Sequence, residues 1–130
     1  MVKVKVCGIT NLEDALASFF AGADALGFVF YKKSPRYIRP LKAGNISRIL
    51  PKSISRVGVF VDAPIPSVKK IAKLCGLDTL QFHGKESGAY CRKFKGYKII
   101  KAFPIDKQGV DLAKISEYQG CACLFPAAVQ

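Results

Sequence analysis

The sequence has 130 residues, half of them hydrophobic, with 21 Lys and Arg against nine Asp and Glu and a net charge of +12. That length holds one domain with a real core, spanning 1–130, and that composition excludes a disordered basic tail. No apolar run approaches the roughly 18 residues of a membrane span, and the N-terminus lacks the pattern of a secretory signal, so a cytoplasmic protein is expected.

The chain opens on VKVKVCGI (2–9), which alternates so that Val2, Val4 and Val6 share one face of a strand and Lys3, Lys5 and Cys7 the other. Thr10 is placed to cap a first helix, with Glu13 three residues on as a capping box and Leu12, Ala15, Leu16 and Phe19 on one apolar face. ALGFVF (25–30) reads as a second strand, and Pro40 with Leu41 as the start of a second helix. SRVGVFVD (55–62) is the third strand; Gly27-Phe28 and Gly58-Val59 hint at a short internal repeat. A third helix after Pro64 and Pro66 buries Val68, Ile71, Ala72 and Cys75 and stops at Gly76. TLQFH (79–83), YKIIKAF (97–103) and CACLF (121–125) complete six strands, with helical segments near 87–95 and 109–119. Strands recurring every 20 to 30 residues or so, with helices between, are βα units of a parallel sheet.

Two architectures accommodate such units. A dinucleotide-binding sheet places G-x-G-x-x-G after its first strand, and Cys7-Gly8-Ile9-Thr10-Asn11 offers one glycine. A (βα)8 barrel explains the opening strand better, because its strands turn one set of side chains under the helices and the other into the interior, toward a site at the C-terminal mouth. Lys5 and Cys7 would point inward, as would Gln81 and His83, with Leu80 and Phe82 outward. The expected fold is therefore a partial TIM barrel of the (βα)8 family, cut to about six parallel strands with five helices, whose first and sixth strands leave open edges for self-association.

Five cysteines without a C-x-x-C pair, and one histidine, give no zinc-site spacing, so no metal is expected; Cys75, Cys91, Cys121 and Cys123 read as small buried hydrophobes. Cys7 differs, since a neighbouring Lys5 ammonium stabilises thiolate over thiol and equips it as a base or nucleophile. YKKSPRYIRP (31–40) carries Lys32, Lys33, Arg36 and Arg39 at a strand end, where an arginine makes a bidentate clamp on a carboxylate and where a solvated loop is the plainer alternative. Asp62 ends the third strand, with helix capping as its ordinary role, and His83 either polarises a substrate or orients its loop. The charge suits an anionic partner, but the lysines are dispersed and no RNA-recognition, KH or zinc-finger signature occurs, so neither nucleic acid nor a membrane is expected.

Together, KVCGITN (5–11), GADALGFVFYKKSPRYI (22–38), RVGVFVD (56–62), LQFHGKE (80–86) and IIKAF (99–103) resemble phosphoribosylanthranilate isomerase, a (βα)8-barrel enzyme of tryptophan biosynthesis. The resemblance implies an Amadori rearrangement of N-(5-phosphoribosyl)anthranilate, a small phosphorylated substrate, to the 1-deoxyribulose 5-phosphate, with no cofactor. It implies Cys7 as general base and Arg36 on the anthranilate carboxylate, and the inward-facing Lys5, Gln81 and His83 are then expected to bind the substrate. The family's general acid, an aspartate at the end of strand six, is matched here by Pro126, which has no side-chain proton to give. With the sequence ending at Gln130, before the family's phosphate-binding loops, the resemblance implies a truncated isomerase with little activity alone, or alternatively a non-catalytic sugar-phosphate-binding barrel fragment.

Overall fold

The computed structural model describes residues 3–104 and 112–125. Six parallel strands form one sheet in chain order: β1 (Lys5–Cys7), β2 (Ala25–Val29), β3 (Ser55–Phe60), β4 (Thr79–Phe82), β5 (Lys98–Ala102) and β6 (Ala122–Leu124). Each strand pairs with its sequence neighbour. A doubly wound sheet reverses its order at a switch point, so an uninterrupted order is that of a barrel wall. Helices α1 (Leu12–Phe20), α2 (Pro40–Ile49), α3 (Ile65–Cys75), α4 (Gly88–Cys91) and α5 (Leu112–Ile115) lie between successive strands, with a 3-10 turn at Ser116–Tyr118 after α5.

The core lies between the outer sheet face and the helices. Leu26, Phe28, Phe60, Leu80 and Phe82 are fully buried there with Val68 and Ala72 of α3. Phe82 meets Tyr90 and Phe94 with ring centroids 5.0 and 5.3 Å apart, which confirms the outward side of β4. Each such side chain contributes about 1.5–3 kcal/mol on leaving water.

Arg56, at the start of β3, fastens α2 to this wall. Its guanidinium donates to Ser47 Oγ (2.9 Å) and to the carbonyls of Ser47 (2.7 Å), Leu50 (2.7 Å), Pro51 (2.9 Å) and Ile54 (2.6 Å). These include carbonyls that the end of a helix leaves without partners, so the arginine closes α2 where no glycine does.

Several expectations are corrected. Asn11, not Thr10, caps α1: it holds an extended backbone and its Oδ1 accepts from Asp14 N at 2.7 Å, because the helix starts at Leu12. Val4 is 50% exposed instead of packed under helices, since β1 is an edge strand that pairs only through Lys5–Cys7 among the described residues. Val2 and Pro126 lie outside the described residues. The segments near 87–95 and 109–119 hold only short helices within the described residues. Ile71 is half-buried, while Val68, Ala72 and Cys75 are buried and Gly76 ends α3 at φ +61° as expected. Cys123 is exposed and Cys121 half-buried, so neither is a core residue like Cys75 and Cys91. The glycine repeat is not a structural one: Gly27 pairs with Val57 and Phe28 with Gly58, which puts the two glycines on opposite faces.

Candidate active site

The inner face is polar where β1 and β4 turn toward each other. Lys5 Nζ donates to Gln81 Oε1, and Gln81 Nε2 meets His83 Nε2. Lys5 and Gln81 stand on strands separated by β2 and β3, so only a strongly curled sheet brings them into contact. Small residues on β2 leave the concave side open: Ala25 and Gly27 are the register partners of Lys5 and Cys7. A Cβ on Gly27 would lie 2.9 Å from Cys7 Sγ.

Cys7 ends β1, and Gly8 follows at φ +83°, a conformation that glycine adopts without strain. Gly8 N and Ile9 N both donate to Gly27 O, at 3.0 and 3.1 Å, which holds this strand end against β2. Arg36 lies across it. Its Nη1 donates to Cys7 O at 3.4 Å, and its stem occupies the space where a Gly8 side chain would stand. The loop that carries Arg36 is anchored by Ile38, which is buried and donates from N to Val29 O at 3.0 Å, and by Arg36 N on Ser34 Oγ at 3.1 Å. Lys32, Lys33 and Arg39 stay exposed. Arg36 is exposed as well, and what sets it apart from the other cations of the loop is its contact with Cys7 and Gly8.

Burial lowers the pKa of the Lys5 ammonium from its ordinary value, against a smaller opposing effect of Cys7. Burial likewise lowers the pKa of His83, aided by the positive charges of Lys5 and Lys101 and opposed by Glu86. Lys5 and His83 thus sit in partly dehydrated surroundings, where their hydrogen bonds are stronger than in water.

Glu86 and Lys101 were not singled out from the sequence, yet they fix the rim beside His83. Lys101 aligns with Phe82 in the sheet register, so its side chain leaves the sheet on the outer side. Its Nζ donates to Glu86 Oε1 at 3.0 Å and to Gly84 O at 2.6 Å, and both side chains are almost wholly buried. The carboxylate also accepts from Gly84 N and Asp62 N, each at 2.8 Å. Asp62 does not cap α3, whose N-cap is Pro64; it takes φ +49° and its Oδ1 accepts from Lys85 N at 2.7 Å. One buried ion pair therefore ties the ends of β3, β4 and β5 together. The available signal was a lysine inside the apolar run YKIIKAF. Among the described residues no three His, Cys, Asp or Glu side chains gather to hold a metal ion.

The model of the N-(5'-phosphoribosyl)anthranilate (PRA) isomerase family matches residues 4–126. The chain belongs to the PRA isomerase family. It is 50% identical over 127 residues to the N-(5'-phosphoribosyl)anthranilate isomerase of Geobacter sp. (strain M21), an alignment covering 98% of this chain and 61% of that one. The crystal structure of the Thermotoga maritima isomerase superposes with a TM-score of 0.92 at 42% identity, covering 100% of this chain and 63% of that one. A PRA isomerase solved with reduced 1-(o-carboxyphenylamino)-1-deoxyribulose 5-phosphate gives a TM-score of 0.87 at 43% identity, with 96% and 64% covered. This chain thus spans about 61% of the length of the Geobacter relative and forms a curled half-barrel of the family's TIM-barrel fold.

Proposed function

We propose that this chain carries the base and the carboxylate-binding half of a PRA isomerase site, serving the Amadori rearrangement of N-(5-phosphoribosyl)anthranilate in the cytoplasm. The observation that carries the reading is the Arg36 guanidinium lying across Cys7-Gly8, with Nη1 3.4 Å from Cys7 O. A carboxylate bound by that planar fork is held beside the thiol, and the sugar carbon bearing the anthranilate nitrogen follows it there. After the furanose opens, the protonated imine at C1 acidifies the C2 proton. Cys7 takes that proton, the C2–H pair forms the C1–C2 double bond as the C1–N π pair moves onto nitrogen, and tautomerisation of the enolamine gives the ketose. Lys5, Gln81 and His83 form one hydrogen-bonded chain on the same concavity, and through His83 it serves the polar sugar portion. The relatives above all bear the isomerase name, so the non-catalytic alternative is not favoured.

Ring opening needs a proton on the furanose oxygen. Pro126, at the family's acid position, supplies none. Turnover of N-(5-phosphoribosyl)anthranilate, followed through loss of anthranilate fluorescence, tests the assignment. Pro126→Asp should raise the slow rate of the chain by about 100- to 10,000-fold, the usual contribution of such an acid. Cys7→Ala should abolish the gain. A gain that survives Cys7→Ala, or no turnover in Pro126→Asp, contradicts the proposal.

A further inference from the structure

His83 is the single histidine of the sequence, and the hydrogen bonds leading to it have one direction. An ammonium only donates, so Gln81 meets Lys5 with its carbonyl oxygen. The amide nitrogen is thereby left to face the ring, and it also only donates, so Nε2 of His83 accepts. An accepting imidazole nitrogen bears no proton; in a neutral ring the proton then sits on Nδ1. That atom has no hydrogen-bond partner among the described residues.

We propose that Gln81, oriented by Lys5, is a positioning residue that sets His83 as the neutral Nδ1–H tautomer, so that His83 offers the ligand a hydrogen-bond donor and no charge. Gln81 and Lys5 then act through His83 instead of touching the ligand. The choice of a sugar oxygen as recipient rests on the isomerase reading; the tautomer does not. The charged groups acting on the ring are Lys5 from β1, Lys101 from β5 and Glu86 from the loop after β4, and burial with the two cations outweighs the carboxylate in keeping it neutral. A ring of this kind polarises an oxygen without surrendering a proton, which leaves proton transfer to Cys7.

With one histidine, long-range 1H–15N correlation spectra of the labelled chain read His83 without assignment. Near pH 7 the expected pattern is a protonated Nδ1 and a bare Nε2, with a titration midpoint below the ordinary 6.5. Gln81→Leu should shift the ring toward the Nε2–H form, and Lys5→Met should move the midpoint upward. A charged ring near pH 7, an Nε2–H wild type, or an unchanged tautomer in Gln81→Leu overturns the proposal. The wild-type spectrum decides even if a variant fails to fold. Saturating reduced 1-(o-carboxyphenylamino)-1-deoxyribulose 5-phosphate should move the Nδ1 resonance. Binding that leaves that resonance in place refutes the donor role, whereas an absence of binding with the Nδ1–H tautomer intact counts against the isomerase reading and leaves the tautomer standing.

Discussion

Replacing Lys101 by Met removes a buried ammonium and keeps the volume of its stem. Glu86 would remain, about 3% exposed, with Asp62 N and Gly84 N as its remaining partners and no counter-charge. Breaking a buried pair from one side costs about 3–5 kcal/mol, because the surviving charge has lost its compensation. A chain of this size has a total stability on the order of 10 kcal/mol, so the loss is a large fraction of it. With a urea m-value of about 2 kcal/mol/M, the unfolding midpoint should fall by about 2 M at unchanged m. The reasoning also predicts a coupling. Glu86→Leu alone strands the Lys101 ammonium, whereas the Glu86→Leu, Lys101→Met double variant strands no charge and should lose about 2–3 kcal/mol less than the two single losses summed. A Lys101→Met shift below about 0.5 M, or additive losses in the double variant, would refute the claim that this pair holds the rim together.

Gly27→Ala would place a methyl group 2.9 Å from Cys7 Sγ and force the thiol aside; a displacement of about 1 Å should lower Cys7-dependent turnover roughly 100-fold in the Pro126→Asp background, with the unfolding midpoint as the control for folding. Arg56→Met removes the guanidinium donor from the carbonyls of Ser47, Leu50, Pro51 and Ile54, of which Pro51 O keeps Ile54 N at 3.3 Å, and should cost about 3 kcal/mol or more in urea unfolding, while ligand affinity of the folded fraction stays unchanged. Because His83 titrates at lower pH folded than unfolded, the unfolded chain binds more protons below about pH 6.5; its contribution is complete above that value and is lost as pH falls toward the folded pKa. Urea midpoints at about pH 7.5 and about pH 5 should show this slope, and His83→Gln should reduce it.

Much of the site was legible because a strand assigns faces by counting in twos. Lys5 and Cys7, and Gln81 and His83, share a side in the sequence and share it in the sheet. The recurrence of βα units left two strand orders open, and the single glycine after Cys7 with the polar inner face of β1 favoured the uninterrupted one that the sheet shows. What the sequence left hidden depends on contacts between distant segments. Lys101 alternates like any strand residue, and only the register that sets it beside Phe82 sends it outward to Glu86. Arg56 at the head of β3 gives no local sign that its partners are the carbonyls at the end of α2. Gly27 and Gly58 look equivalent in sequence, yet a one-residue offset in pairing gives one to Cys7 and the other to Leu77 under the helices. Asn11 outcompeted Thr10 as a cap because a helix start is settled by one residue of extended backbone.

The central claim is that Arg36, laid over Cys7, binds the anthranilate carboxylate. Equilibrium titration of the 130-residue chain with reduced 1-(o-carboxyphenylamino)-1-deoxyribulose 5-phosphate, repeated with Arg36→Ala, tests it directly. A hydrogen bond to a charged group is worth about 1.5–3 kcal/mol, so the account predicts an affinity lower by about ten- to a hundredfold in the variant. Equal affinity in the two proteins, with the unfolding midpoint unchanged, would contradict it.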